Sequence, residues 1–158
     1  MTVWPFDILP MIQGLAQEKP IERGLLIGTD CRTANWPADW QHCPTEQLLS
    51  LPFQQRYDLA VLQLEISSLS DEYINQGVTR LRDLLARRVL LVVTSADTHT
   101  VTQLRALGFS QIEAPTTSNQ PQNDWQLWQF NILAYKQVPD WLNAKFWANP
   151  ENWGKYRW

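Results

Sequence analysis

The sequence predicts an open α/β domain with a mainly parallel sheet, helices on both faces and an antiparallel C-terminal strand. Three observations carry that prediction. Val89-Leu90-Leu91-Val92-Val93 is apolar on successive residues, not alternate ones, which marks a strand covered on both faces. Strand-like apolar runs alternate with segments whose apolar residues recur at helical spacing, the order of an α/β fold. Trp128, Phe130 and Ile132 instead alternate with Gln129 and Asn131. That period of two predicts a last strand with two distinct faces, running antiparallel.

Taken in order, Asp7 is placed to cap a first helix, with Pro10 tolerated in its first turn. Phe6 and Met11 are spaced as a hydrophobic staple across that cap. Ile8, Ile12 and Leu15 share a face, and Pro20 ends the segment. Arg23-Gly24-Leu25-Leu26-Ile27-Gly28 is a short apolar run between glycines and reads as a buried strand. Residues 29–56 are polar and rich in Trp and Pro. Within them Trp40-Gln41-His42-Cys43 predicts a short strand, and Thr45 is read as the cap of a brief helix carrying Leu48 and Leu49. Tyr57 to Leu64 is a second strong strand. Ser70 caps a helix that runs to Arg87, and Asp71 and Glu72 in its first turn suit the positive end of the helix dipole. Ile74, Val78, Leu81 and Leu85 line its buried face, while Arg82, Arg87 and Arg88 gather at its negative end. After the strand Arg88 to Thr94, Asp97 or Thr98 caps a helix bearing Val101, Leu104 and Leu107, and Gly108 suits its C-terminal cap. Phe109 to Glu113 is a further short strand, and residues 115–123 form a turn-rich loop. A short helix from Pro139 through Trp147 is stopped by Asn149-Pro150. Right-handed crossovers place the helices on the two faces of the sheet. The least accessible residues are expected to be Leu26, Val61, Leu62, Leu91, Val92, Leu104, Phe130 and Ile132.

The chain of 158 residues fits a single domain, 1–158, whose segment 139–158 is a Trp-rich C-terminal tail. Lys and Arg number 13 against 16 Asp and Glu, a net charge of −3. Such a balance argues against nucleic acid and against anionic membrane surfaces as partners. No apolar run approaches the roughly 20 residues of a spanning helix, and Met1-Thr2-Val3-Trp4-Pro5 lacks a basic leader. Cys31 and Cys43 read as reduced thiols, so a cytoplasmic protein is expected. Trp is over-represented, with 9 residues, which serve as core packing or as interface anchors. The tail rings Trp141, Phe146, Trp147, Trp153, Tyr156 and Trp158 suit two roles. They form a strap against the sheet edge or a second copy of the chain, or a strip that binds a partner protein.

Open α/β sheets bind ligands beyond the carboxyl ends of their strands. Gly28, Asp30 and Arg32 follow the first strand, Glu65 the middle one, and Thr94 and His99 the next. A carboxylate, a guanidinium and an imidazole near one crevice bind a small polar ligand or transfer a proton. Helix capping by Ser70, Ser95 and Asp97 and solvation of Glu65 explain these residue types without a ligand and are the favoured reading. Cys31, His42, Cys43 and His99 supply zinc-type atoms at spacings that match no finger, so no metal is expected. No Gly-x-Ser-x-Gly elbow supports a serine hydrolase.

From Leu51 to Tyr135 the order of features resembles a class I S-adenosylmethionine-dependent methyltransferase. Leu51-Pro52-Phe53 followed by Tyr57-Asp58-Leu59-Ala60-Val61 is similar to that family's entry into its fourth strand. The segments Asp71 to Arg87 and Val89 to Thr94 are similar to the following helix and strand, and Leu104-Arg105-Ala106-Leu107-Gly108-Phe109 to the approach to its closing hairpin. The tail from Phe146 to Trp158 also resembles a bacterial family of unknown function. The methyltransferase resemblance implies a Rossmann-like sheet and S-adenosylmethionine as cofactor. The sequence departs from the family where that cofactor binds: Ile27-Gly28-Thr29-Asp30-Cys31-Arg32 holds one glycine, and a ribose-binding carboxylate after the second strand has no clear counterpart, Asp39 included. The expectation is therefore a degenerate methyltransferase-like domain that binds a protein partner or a small polar ligand without catalysis and without a cofactor. Methyl transfer through an atypical cofactor loop is the alternative, and the stretch Gly28 to Arg32 discriminates the two. An open cradle there favours the enzyme; a crevice filled by Trp36 or Trp40 excludes it.

Overall fold

The structure, a computed structural model, describes residues 8–30, 36, 39–65, 70–94, 97–113, 125–135 and 154–155. Its strands are β1 (Gly24–Ile27), β2 (Trp40–Cys43), β3 (Leu59–Glu65), β4 (Arg88–Thr94), β5 (Ser110–Ile112) and β6 (Trp125–Asn131). Its helices are α1 (Leu9–Glu18), α2 (Asp71–Arg80), α3 (Thr98–Ala106) and the short α4 (Ile132–Tyr135). The strands form one sheet in the order β2-β1-β3-β4-β6-β5. β2, β1, β3 and β4 are parallel, and β6 runs antiparallel to both β4 and β5.

Two-sided burial explains the composition of the central strands. On one face Leu25, Ile27, Leu62, Leu64, Leu91 and Val93 pack beneath Ile74 and Val78 of α2 and Leu104 of α3. On the other face Leu26, Val61, Val92 and Leu127 pack beneath Ile8, Ile12 and the rings of Trp36 and Trp40. Every residue of β4 but the last is buried, so the consecutive apolar run reflects helices on both sides. Leu91→Ala should cost about 2–5 kcal/mol, the range for deleting a buried leucine side chain, readable as a fall in the denaturant midpoint.

Local capping follows the sequence. Ser70 Oγ accepts the Tyr73 N–H at 3.2 Å, and an Asp97 carboxylate oxygen accepts the Thr100 N–H at 2.8 Å. Gly108 ends α3 with φ 91°, a conformation glycine adopts without a Cβ clash. The Thr100 backbone N–H and then its hydroxyl hold the Asp97 carboxyl below its ordinary value. The contribution of this cap is therefore full above the unfolded carboxylate value of about 3.9 and is lost as pH falls through the folded one. The stability difference between the protein and Asp97→Asn should accordingly shrink in acid denaturation curves below about pH 4.

The structure corrects four sequence expectations. Ile132 is 39% exposed, because β6 ends at Asn131 and the backbone turns into α4. Thr45 is the first residue of a 3₁₀ helix, Thr45–Ser50, preceded by Pro44 and without a side-chain cap. Only Leu48 of that helix faces the core, while Leu49 is exposed. The helix after Ser70 is α only to Arg80 and gives way to a π turn over Leu81–Leu85, where the Ala86 N–H donates to Leu81 O at 3.0 Å. Arg88 belongs to β4 and reaches the end of α1, not α2: Nη1 donates to Leu15 O and Nη2 to Lys19 O, each at 2.9 Å. The Asp7 cap, the Phe6–Met11 staple, the loop 115–123 and the tail helix lie outside the described residues. No helix among the described residues is long and apolar enough to cross a membrane.

Candidate functional site

The strand order reverses direction at β1. The chain passes from β1 to β2 on one side and then to β3 on the other. Such a switch point opens a crevice at the carboxyl ends of the two strands, here β1 and β3, and ligands of open α/β sheets bind there.

Gly28 closes β1 at this point with φ +115°, a conformation strained for any residue with a side chain. A Cβ on Gly28 would also stand 3.1 Å from Gln63 Cβ and 3.5 Å from Gln63 Oε1. Backbone and Gln63 side chain are thus in close contact, and glycine is required twice over. The Gly28 N–H donates to Cys43 O at 3.1 Å, and His42 Nε2 lies 2.7 Å from Gly28 O. A carbonyl only accepts, so the His42 proton sits on Nε2.

Gln63 is the one polar residue buried within β3, at 5% exposure. Its Nε2 is buried with no hydrogen-bond partner among the described residues. An unmet buried donor of this kind costs about 1–3 kcal/mol, and a group retained at that cost calls for an explanation. The Trp36 indole Nε1 is likewise buried and without a partner among the described residues. Its ring meets Trp40 edge to face, with centroids 5.6 Å apart. The Trp40 ring fills the space over Gly24, where any Cβ would collide with it. Gly24 is the first residue of β1 and Gly28 follows its last. Trp40 therefore packs at the far end of the strand, and Gln63 is what lies against Gly28.

Of the residues singled out in the sequence, Gly28 stands at the switch point in contact with Gln63 and His42. Glu65 and Thr94 pair in register at the ends of β3 and β4, and Thr94 Oγ1 donates to Leu64 O at 3.1 Å. Asp30 and His99 are exposed at this end of the sheet, His99 in the first turn of α3. Arg32 lies outside the described residues. Sequence reasoning missed Gln63 and weighed His42 only as a metal ligand. The signal for Gln63 was present: an amide inside Leu59-Ala60-Val61-Leu62-Gln63-Leu64 interrupts an otherwise apolar run.

Cys43 is buried at the end of β2, and its thiol donates to Pro44 O at 3.3 Å. Burial, and secondarily Glu46, push the thiol up from its ordinary value, which disfavours a nucleophilic thiolate. Among the described residues no cluster of His, Cys, Asp and Glu could hold a metal ion.

S-adenosylmethionine, which the resemblance implies, fits these residues poorly. The close approach that Gly28 permits is already taken by Gln63. At the carboxyl end of β2 stand Cys43 and Pro44, and Asp39 precedes the strand at its opposite end. Among the described residues the end of β2 itself carries no carboxylate, and Glu46, in the 3₁₀ helix that follows, is the first acidic residue after it.

A solved structure shares the fold. The methyltransferase domain of bacterial CtHen1-CN superimposes with a TM-score of 0.50 at 10% identity, covering 78% of this chain and 96% of that one. Magnesium protoporphyrin IX methyltransferase from Synechocystis PCC 6803, solved with bound SAM, gives a TM-score of 0.42 at 17% identity, covering 74% of this chain and 50% of that one. The first similarity is one of fold alone. No curated protein matches the chain. The sequence profile of a family of unknown function (DUF6231) matches residues 7–158.

Proposed function

We propose that this chain, which belongs to the family of unknown function DUF6231, is a methyltransferase-fold domain that binds a small polar ligand at the switch point and transfers no methyl group. The observation that carries the reading is the unpartnered amide of Gln63, buried against Gly28 where β1 and β3 part. Nε2 is a donor, so the ligand presents an acceptor such as a carbonyl or carboxylate oxygen. His42 shapes the same rim by fixing Gly28 O with its Nε2–H. The misfit of Gly28, Cys43 and Pro44 to the adenosyl cofactor supports binding without catalysis.

Calorimetric titration with S-adenosylmethionine and S-adenosylhomocysteine tests this reading. Dissociation constants weaker than about 10 μM, roughly −7 kcal/mol, are expected for both. A constant at or below about 10 μM would replace the reading with that of a methyltransferase with an atypical cofactor loop. The positive arm is native mass spectrometry of gently purified protein. A small bound molecule should be released from the natural chain and be absent from Gln63→Met.

A further inference from the structure

Arg80 is the last residue of α2, where the α helix gives way to the π turn. Its side chain is half-buried, and Nη2 donates to Leu51 O at 2.6 Å. Nε is buried without a hydrogen-bond partner, and no carboxylate pairs with this guanidinium among the described residues. The nearest acid in sequence, Asp83, is held instead by Arg82 Nε at 2.6 Å. A half-buried charge with no counter-ion is costly to keep. Leu51 O occupies one of the five guanidinium donors and leaves the others open.

The same guanidinium lines a cavity of about 450 Å³ with Asn75, Gln76, Thr79, Asp83 and Leu84. All six residues lie on the unbroken stretch of α2 and the π turn, so helical register fixes their spacing. Gln76 and Arg80, like Asn75 and Thr79, are one turn apart, which sets their Cβ atoms about 5–6 Å from each other. Asp83 and Leu84 follow in the next turn. The chain after the 3₁₀ helix is tied to this stretch twice, by Arg80 to Leu51 O and by Arg56 Nη2 to Asp83 O. Leu51 and Leu84 both pack against the core, so the wall is anchored. Single π turns inside helices are frequent at functional sites.

The lining selects a monoanion with a short apolar arm. A guanidinium matches a carboxylate in shape and charge. The Asn75 amide and the Thr79 hydroxyl are further donors on the same wall. The Asp83 carboxylate, although paired, repels a second negative charge and so disfavours phosphate. Leu84 and the aliphatic stem of Arg80 offer apolar contact beside the charge. The volume falls within the range of small-molecule sites. We propose that the cavity beside Arg80 is a second binding site, for a small organic monocarboxylate. It is separate from the switch point: α2 covers the sheet face of Leu62 and Leu64, and Gln63 between them points to the other face.

The test is nuclear magnetic resonance on the intact chain at low salt, following the Arg80 Nε–H and the Leu84 methyls while sodium butyrate is added. Butanol serves as the uncharged counterpart and phosphate as the anion without an apolar arm. A saturable shift with butyrate, and little response to the other two, are expected. Arg80→Lys keeps a charge but loses the guanidinium fork and should weaken butyrate binding about fivefold or more. Asp83→Asn, on an exposed residue, should instead tighten it about twofold or more; it decides the matter should Arg80→Lys fail to fold. Gln63→Met should leave binding unchanged, which separates this site from the switch-point reading. No saturable shift with butyrate, equal responses to butyrate and butanol, tighter binding of phosphate, full binding by a folded Arg80→Lys, or no tightening in Asp83→Asn would each overturn the proposal.

Discussion

Trp128→Ala is expected to lower stability by about 3–5 kcal/mol, the range for emptying a buried tryptophan site. Trp128 is fully buried in the middle of β6, opposite Leu91 of β4 and Gln111 of β5. It shares a core face with Phe109 and Phe130, whose rings stand 5.5 Å apart. Its indole N–H donates to Gln126 Oε1 at 3.1 Å, so the polar edge is satisfied without water. Removing the ring opens a cavity at the junction of the parallel and antiparallel parts of the sheet. Against a typical stability of about 5–15 kcal/mol, the loss should move the denaturant midpoint far enough to leave the chain marginal. Trp128→Phe keeps much of the volume and should cost distinctly less. A change under about 1 kcal/mol for the alanine variant would mean that β6 does not close the core as described.

Arg88→Met should cost about 2–4 kcal/mol despite keeping the volume apolar and similar. Arg88 is 6% exposed at the start of β4. Its guanidinium joins three segments, donating to Leu15 O and Lys19 O at the end of α1 and, more weakly at 3.4 Å, to Asp58 O before β3. Burial pushes the guanidinium down from its ordinary value, and Asp58 and then Glu18 pull it back up. Charged hydrogen bonds to carbonyls at a helix end are worth more than neutral ones. Methionine fills the space but removes every donor, so the last carbonyls of α1 lose their charged partner. Faster hydrogen exchange localised to α1 would accompany the global loss.

The central strands were legible because two-sided burial forces consecutive apolar residues, as in Leu59 to Leu64 and Val89 to Val93. The helix starts were legible because Ser70 and Asp97 cap by a local hydrogen bond that needs no tertiary context. Ile132 was misplaced because its period-two pattern continues past the point where the backbone leaves the sheet. Arg88 was assigned to the nearest helix end, whereas its partners on α1 lie 69 and 73 residues away in sequence. The candidate site was legible only as strand ends. Gly28 was found through its place after the first strand. The role of Gln63 depends on the contact between β3 and Gly28, which no local pattern encodes.

The stability of Gln63→Met in the ligand-free protein decides whether the switch-point amide is held for a ligand or is part of the scaffold. Methionine is unbranched and close in volume to glutamine, and it carries no donor to leave unmet. If Nε2 is unpartnered and kept for binding, removing it should stabilise the free protein by roughly 1–3 kcal/mol. Chemical denaturation monitored by circular dichroism reads that change directly, as a rise in midpoint at unchanged slope. A fall in midpoint of similar size would show that the amide holds the fold together, and would contradict a ligand site built on Gln63.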